Sequence, residues 1–449
     1  MSDNGDDDTT GRSISRRRFL QSTAVTGGAL ALGSKPLSLM ANEAPPAFPL
    51  GQLVPMTGSG SEYGPFWRDA GHLAAEQLNE AAKAVLGGPL ISELATEDTN
   101  TLPTAATEAA RKLIQSAGVP AITGSWSSGV TTAVATSATI PNQVLHVAYG
   151  STSPLITMLP EDKQADLLFR TTASDALQGR VDAQLVNGEI FDDYKHKTAA
   201  TLYVNNPYGQ GLSDAFARSF EARGGTIQAQ VPHPEELQST YKSQLSAALR
   251  NNPDVLFLPS YPGHTSTFLK ESRDIFDYTS WLFTDGNKST DVIDAVGGKA
   301  LAGSYGTAPS ADTSFGPYKD FAKAYAEQKG NERVPPFTSS AYDAVVTIGL
   351  AAARVIAQGD KVTGQSLHDS LRPVTNAPGT QVSGGTVDGL KKALTLIKKG
   401  EDVDYRGAAG DIEFDKNGDV KVPVSIWRYT ADGKIETIDL RDPDQIPDK

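Results

Sequence analysis

Short apolar runs alternate with amphipathic helical patterns along most of the chain, and this alternation limits its possible folds more than any other feature. A first series runs from a predicted strand at residues 48–54, through a predicted helix at 67–85, to a strand at 144–148. A second series begins with a strand at 198–204 and closes at 281–284. Strands that alternate with helices form parallel sheets with helices on both faces. The pattern therefore predicts an α/β protein with two similar lobes.

The remainder of the chain carries different patterns. Long helices are predicted at residues 318–329 and 339–357, and residues 412–429 alternate around the turn Asp415-Lys-Asn-Gly-Asp419, which indicates a β-hairpin. Three Gly- or Pro-containing pieces fall where two lobes could be joined: residues 173–179, 303–309 and 407–411.

The first 41 residues have the features of a twin-arginine signal peptide. Ser15-Arg-Arg-Arg-Phe-Leu-Gln21 precedes a short apolar run at 23–33, which is too short and too rich in Gly and Thr to span a bilayer. Signals of this type direct proteins that cross a membrane already folded. We expect cleavage near Ala41 and a product in the periplasm, soluble and without a lipid anchor, because no cysteine follows the run. The alternative is a basic disordered tail.

Composition narrows the possible partners. The 449 residues include no cysteine, which excludes disulfides and thiolate chemistry, and the formal net charge of −13 argues against nucleic acid or an anionic membrane surface as a partner. We also expect a monomer. After the signal, no segment reads as long and apolar enough to cross a membrane.

Catalytic, metal and cofactor motifs are weak. The six histidines are scattered without ligand spacing, and the 415–419 turn has its Gly too early for a calcium loop and lacks the closing Glu. The Gly-rich turn at 57–64 lacks the Gly-x-Gly-x-x-Gly spacing of dinucleotide sites, and Tyr325 with Lys329 lies far from it. There is no Gly-x-Ser-x-Gly nucleophile motif. We therefore expect no enzyme activity, no metal and no cofactor.

Polar turns at the predicted strand ends are more coherent. Hydroxyl- and Gly-rich turns follow two strands of the first series, at residues 125–129 and 150–153. In the second series, turns at 206–209, 260–262 and 284–286 supply two tyrosines and one acid. Ligands in open α/β lobes sit at the carboxyl ends of the strands. A donor-rich lobe that faces a lobe with a carboxylate suits a zwitterion, whose carboxylate needs donors and whose ammonium needs an anion.

At these residues the chain resembles the branched-chain amino-acid (leucine/isoleucine/valine-binding) type of periplasmic solute-binding proteins of ABC transporters. The resemblance covers residues 48–432, and its motifs are specific in their order rather than singly. They are Gly-x-Gly-x-x-Tyr-Gly at 58–64, Ile-Thr-Gly-x-x-Ser-Ser-Gly at 122–129, Gly-x-Thr-x-Pro at 150–154, Phe-Arg-Thr at 169–171, Asn-Pro-Tyr-Gly-x-Gly at 206–211, Ser-Ala-Tyr-Asp-Ala at 340–344 and Phe-Asp-x-x-Gly-Asp at 414–419.

This resemblance implies a type I periplasmic binding fold, a Venus flytrap of two Rossmann-like lobes joined by three crossovers. Lobe 1 would comprise residues 47–171 and 308–411, and lobe 2 residues 172–307 and 412–449. A small ligand would bind between the lobes and pass to a membrane permease.

The resemblance also implies roles for nine residues. Ser127 or Ser128, with Thr152, would bind the ligand carboxylate. The Gly150 carbonyl and Asp285 would hold the ammonium, although the family often has Glu in place of Asp. The aromatic residues would shape the pocket, which Trp126 would narrow: Tyr63, Trp126, Tyr208 and Tyr261.

Each assignment has a plain structural alternative. Tyr63 and Tyr208 could be ordinary packing, Ser127 a helix cap, Asp285 a turn residue and Trp126 a surface aromatic. Two other functions also stay open. The chain could be a sensor module that delivers ligand to a receptor, or an exported oxidoreductase that crosses folded with a nucleotide cofactor.

Overall fold

The computed structural model describes residues 46–330 and 333–447, so the predicted signal peptide lies outside the described residues. The strands are β1 (Phe48–Val54), β2 (Ile91–Asp98), β3 (Ala121–Thr123), β4 (Leu145–Ala148), β5 (Leu168–Arg170), β6 (Thr198–Val204), β7 (Thr226–His233), β8 (Val255–Phe257), β9 (Trp281–Phe283), β10 (Tyr305–Pro309), β11 (Thr380–Ser383), β12 (Val403–Arg406), β13 (Val424–Tyr429) and β14 (Ile435–Arg441).

Fourteen helices connect these strands within the described residues. They are α1 (Gly64–Leu86), α2 (Pro103–Lys112), α3 (Ser128–Val134), α4 (Pro154–Thr157), α5 (Asp175–Val186), α6 (Pro207–Ala222), α7 (Lys242–Ala248), α8 (Pro262–Phe276), α9 (Thr290–Val296), α10 (Gly298–Leu301), α11 (Gly316–Lys329), α12 (Thr338–Ala357), α13 (Gly364–Leu371) and α14 (Val387–Lys398). Short 3₁₀ or π turns extend several of them.

Two sheets organise the chain, and both have the strand order second-first-third-fourth-fifth. The first is parallel with the order β2-β1-β3-β4-β5. The second repeats this order as β7-β6-β8-β9-β10 and then adds β13 and β14 as an antiparallel edge. The two predicted series of strands and helices are thus confirmed as two sheets of the same topology. A small parallel pair, β11 and β12, stands apart from both.

Local signals explain where the first long helix starts and stops. Pro65 occupies the first turn of α1, where a missing N–H is harmless. Gly87 ends the helix in the left-handed region at φ 90°, and its N–H bonds to the carbonyl of Ala82. Asn79 then donates to the carbonyl of Ile91 and accepts from the N–H of Leu90. The helix is therefore fixed directly to the start of β2.

Helix α12 corrects the expectation that no segment after the signal could span a membrane by composition. The helix has 20 residues, and an 18-residue stretch of it has a mean hydropathy of 1.4, so it is long and apolar enough for a transmembrane helix. However, 83% of that stretch is buried inside the structure. It packs against α1, α13 and α14. An apolar helix that other helices cover is typical of a protein core.

The hairpin predicted at residues 412–429 is wrong. Strand β13 does pair in antiparallel fashion, but with β14 and β10, around a turn at residues 430–434. The tight turn at 415–419 exists, and Asp415 accepts hydrogen bonds from the N–H groups of Asn417 and Asp419. Asp419 also forms a 2.7 Å ion pair with the buried Arg170. The turn is therefore held against β5 by tertiary contacts and is not the end of a strand pair.

The chain passes between the two sheets three times within the described residues, after β5, β10 and β12. Two predicted linkers lie slightly off these passages, since residues 175–179 belong to α5 and 305–309 form β10. The third passage is held by Asp343 on α12, whose carboxylate accepts from the N–H groups of Ala408 and Ala409 and from Tyr405. The exact lobe ranges stay a prediction.

Candidate functional site

The nine residues assigned from the resemblance lie on loops at the carboxyl ends of strands in both sheets. The first sheet carries Tyr63 after β1, Trp126 to Ser128 after β3, and Gly150 and Thr152 after β4. The second sheet carries Tyr208 after β6, Tyr261 after β8 and Asp285 after β9. All nine are buried. Since the chain leaves the first and third strands of each sheet in opposite directions, toward the second and the fourth strand, the topology itself opens a crevice at this edge.

Hydroxyl groups form the wall contributed by the first sheet. Ser127 stands at the start of α3, but its hydroxyl makes no hydrogen bond to the helix N–H groups. It accepts instead from the Tyr261 hydroxyl at 2.9 Å, across to the second sheet. The alternative that Ser127 is only a helix cap is therefore wrong. Ser128 accepts from the N–H of Ser153 at 3.1 Å.

Aromatic rings close the crevice. Trp126 lies 4.6 Å from Tyr261, 5.2 Å from Trp67 and 5.6 Å from Tyr63, measured between ring centroids. It is 3% exposed, so it is not a surface aromatic. Gly150 is required by this packing, because a Cβ there would lie 2.6 Å from the Trp126 ring. On the other side, the rings of Tyr208 and Tyr261 stack at 5.5 Å with an interplanar angle of 8°.

Asp285 is held by two neutral donors. Gln178 Nε2 and the Tyr208 hydroxyl donate to its Oδ1 at 2.9 and 3.0 Å. Burial raises the pKa of this carboxyl to about 6, although both hydrogen bonds act in the opposite direction. Asp285 does lie in a one-turn 3₁₀ segment, so it is a turn residue as well as a member of this cluster.

A second acid, Asp175, belongs to this cluster and was not predicted from the sequence. It is fully buried at the start of α5, and its N–H donates to the carbonyl of Thr152 at 2.8 Å. Burial, and then the charge of Asp285, raise the pKa of its carboxyl well above the ordinary value. Thr152 is near enough to lower that pKa somewhat. Even so, its hydroxyl and both Asp175 oxygens lack hydrogen-bonding geometry with any described residue.

The two halves of the site are in contact. Besides the Tyr261–Ser127 bond, the Ser153 hydroxyl donates to the carbonyl of Pro207 at 2.7 Å. Glu62, on the loop after β1, accepts from the N–H and the hydroxyl of Thr290 at 3.2 and 2.9 Å, and also from Ser289 and Arg333. The structure is therefore in a closed arrangement, with the acidic pair sealed between the sheets.

Within the described ranges, no group of three or more His, Asp or Glu side chains is arranged to hold a metal ion. The residues gathered here are hydroxyls, aromatic rings and two carboxylates. This set can bind a ligand that has both an anionic and a cationic group.

Comparison with known proteins gives the family. Residues 48–432 match the model of the periplasmic binding protein family. A chemotactic signal transduction system substrate-binding protein of Halobacterium salinarum, BasB, is 27% identical over 383 residues, which cover 81% of this chain and 83% of BasB. The Leu/Ile/Val-binding protein BraC3 of Rhizobium johnstonii is 25% identical over 354 residues, 78% of this chain and 90% of BraC3.

The fold has a solved counterpart. The leucine binding protein LivK of Thermotoga maritima superposes with a TM-score of 0.70 over 89% of this chain and 99% of LivK, at 22% identity. With its paired sheets of matching strand order and its enclosed interlobe site, the chain belongs to the periplasmic binding protein family and has the type I fold.

Proposed function

We propose that the protein binds a small α-amino acid, or a related carboxylate or amide, between its lobes and delivers it to a membrane permease. One observation carries the proposal: hydroxyls of the first sheet face two buried acids that make no ion pair with a described residue, and the nearby charge of Arg170, which lowers the pKa of Asp175, is itself paired with Asp419. Buried carboxylates are costly without a counter-charge. A ligand ammonium supplies that charge.

The roles of individual residues are part of this proposal. Ser127, Ser128 and Thr152 bind the ligand carboxylate, and the Gly150 carbonyl with Asp285 binds the ammonium. Asp175 joins Asp285 because its carboxylate oxygens lie unpartnered beside Thr152. Trp126 fills space that aliphatic ligand side chains would need, so we expect a ligand smaller than leucine.

The deciding experiment is calorimetric titration of Asp285→Ala with the amino acid selected by a thermal-shift screen of amino acids, small amides, polyamines, urea and aromatic acids. We expect at least about thirtyfold weaker binding, because removing one partner of a buried charge pair costs ~2–5 kcal/mol.

Asp274→Ala is the matched control, since Asp274 is an exposed acid on α8 that pairs with Arg273. Unchanged affinity in a folded Asp285→Ala variant would refute the zwitterion site.

Delivery to a chemotaxis receptor rather than a permease is the second candidate, and the similarity to BasB favours it. A pull-down with detergent-solubilised membranes of the source cell distinguishes the two, because the partner retained in the presence of ligand is either a permease or a receptor. The proposed function involves no catalytic step, no cofactor and no nucleic acid. We also propose that the protein is a monomer and is exported to the periplasm by the twin-arginine route.

A further inference from the structure

A second cavity, of about 80 Å³, lies at the hinge. None of the nine predicted ligand residues lines it. All three passages between the sheets do: Thr172 follows β5, Ser310 follows β10 and Ala409 follows β12. One water molecule requires about 10–15 Å³, so the cavity holds a group of several heavy atoms.

Lys288 is the one cationic residue among the described residues that line this cavity. Its Nζ lies 3.5 Å from the Thr437 hydroxyl and 5.9 Å from the centre of the Trp427 ring. Among the described residues, no carboxylate lies within ion-pair distance of it. Burial lowers the pKa of its ammonium to about 8, and no neighbouring acid opposes that effect. A half-buried cation without a counter-ion favours an anion beside it.

Hydroxyl donors complete the lining. Thr172 is 1% exposed, and its hydroxyl has no hydrogen-bond partner among the described residues. Ser310, Ser339, Ser340 and Tyr318 line the same space. One ammonium with several hydroxyls matches the charge and acceptors of a single carboxylate, whereas a phosphate dianion would need a second cation.

We propose that the hinge cavity binds a small carboxylate at Lys288 and thereby favours lobe closure. Because all three passages form its walls, a bound anion contacts every segment that must bend when the lobes open.

The carboxylate has two possible sources. It is either a free small acid or the distal carboxylate of the ligand in the cleft. The ligand cleft is close to this cavity, because the Phe337 ring contacts both. The ring lines the cavity, and it lies 3.4 Å from where a Cβ on Gly150 of the cleft would stand.

The test is acetate titration of the protein at constant ionic strength, with acetamide as the neutral control and Trp fluorescence and melting temperature as readouts. We expect a saturable rise in melting temperature with acetate but not with acetamide. In Lys288→Met the acetate affinity should fall by about tenfold or more, because hydrogen bonds to charged groups are the strong ones. Lys299→Met removes an exposed charge from α10 and should behave like wild type.

A second variant separates binding from folding. Thr172→Val keeps the shape of the side chain and removes the unpartnered hydroxyl, so it should weaken acetate binding while the anion-free melting temperature stays at the wild-type value. Glutamate and aspartate titrations identify the source. If they bind through Lys288 while acetate alone has no effect, the carboxylate arrives as part of the cleft ligand. If neither class responds to Lys288→Met, the proposal is refuted. The acetate result does not depend on the proposed function.

Discussion

At the residue scale, the distinguishing feature of Asp175 and Asp285 is that these two acids of the site have no cationic partner among the described residues. Both are buried, and neither makes an ion pair with a described residue. Asp285 was predicted because it follows a strand end and stands where the resembled family places an acid for the ammonium. Asp175 was missed, since it opens a helix just beyond a lobe passage, and its approach to Asp285 depends on how α5 sits against the second sheet. Local sequence patterns predict which residues share an element or a turn, but they do not predict that Asp175 lies close to Asp285 in the fold.

The raised pKa of Asp285 leads to a stability prediction for the ligand-free protein. Its folded pKa of about 6 exceeds the ordinary value, so the folded state binds more protons than the unfolded state between about pH 4 and pH 6. Stability from this group is therefore present below pH 4 and lost as pH rises through 6. Asp285→Asn should raise stability at pH 7.5 by on the order of 1–3 kcal/mol, measured by calorimetry.

The control for this prediction is the same comparison at pH 4, where wild type and Asp285→Asn should differ little. Ligand affinity should respond to pH in the opposite direction, because an ammonium needs the ionised acid: binding to wild type should weaken as pH falls through about 6. Equal stability of the two proteins at pH 7.5 would contradict the cost assigned to the buried charge.

At the scale of elements, Glu62 joins the loop after β1 to the start of α9. Its carboxylate accepts from the backbone N–H of Thr290, from two hydroxyls and from Arg333. Anions at helix N-termini are stabilising, and this one acts only when the lobes meet. We therefore expect Glu62 to act as a latch for the closed state; it is not one of the nine predicted ligand residues.

We expect Glu62→Gln to weaken ligand affinity by about three- to tenfold, mainly through faster dissociation, because losing this charge reduces the population of the closed state. Stopped-flow fluorescence measures the dissociation rate. Glu80→Gln on the exposed face of α1 is the matched control. A change in association rate alone would be inconsistent with a latch.

Elements were predicted well where the local pattern decides them. The strands at residues 48–54 and 198–204 have the predicted bounds. The hairpin at 412–429 failed because the alternation of β13 is real but gives no information on its partner. Asp419 turned out to pair with Arg170, a contact between residues far apart in sequence. Long-range pairing of this kind leaves no periodic signal in either segment.

At the scale of the whole molecule, the lobes meet through polar contacts, such as Tyr261 with Ser127 and Ser153 with Pro207, and through the packed rings of Trp126 and Tyr261. Small polar interfaces between lobes permit relative motion. We therefore expect ligand to reduce the radius of gyration measured by small-angle X-ray scattering, because the ligand-free protein also populates open states. Asp285→Ala should show no such compaction with the same ligand. An identical radius with and without ligand in the wild-type protein would contradict hinge closure.

Both lobes depend on segments that are synthesised late. Strand β13 brings Trp427 and Tyr429 against Phe283, and α12 covers α1. When the ribosome has just translated β10, both lobes are still incomplete, because α12 of the first lobe and β13 of the second have not yet been synthesised. We therefore expect the two lobes to complete their folding together, after nearly all of the chain has been translated. If the protein uses the proposed twin-arginine route, which carries folded proteins, only a chain translated almost to its end is ready for export.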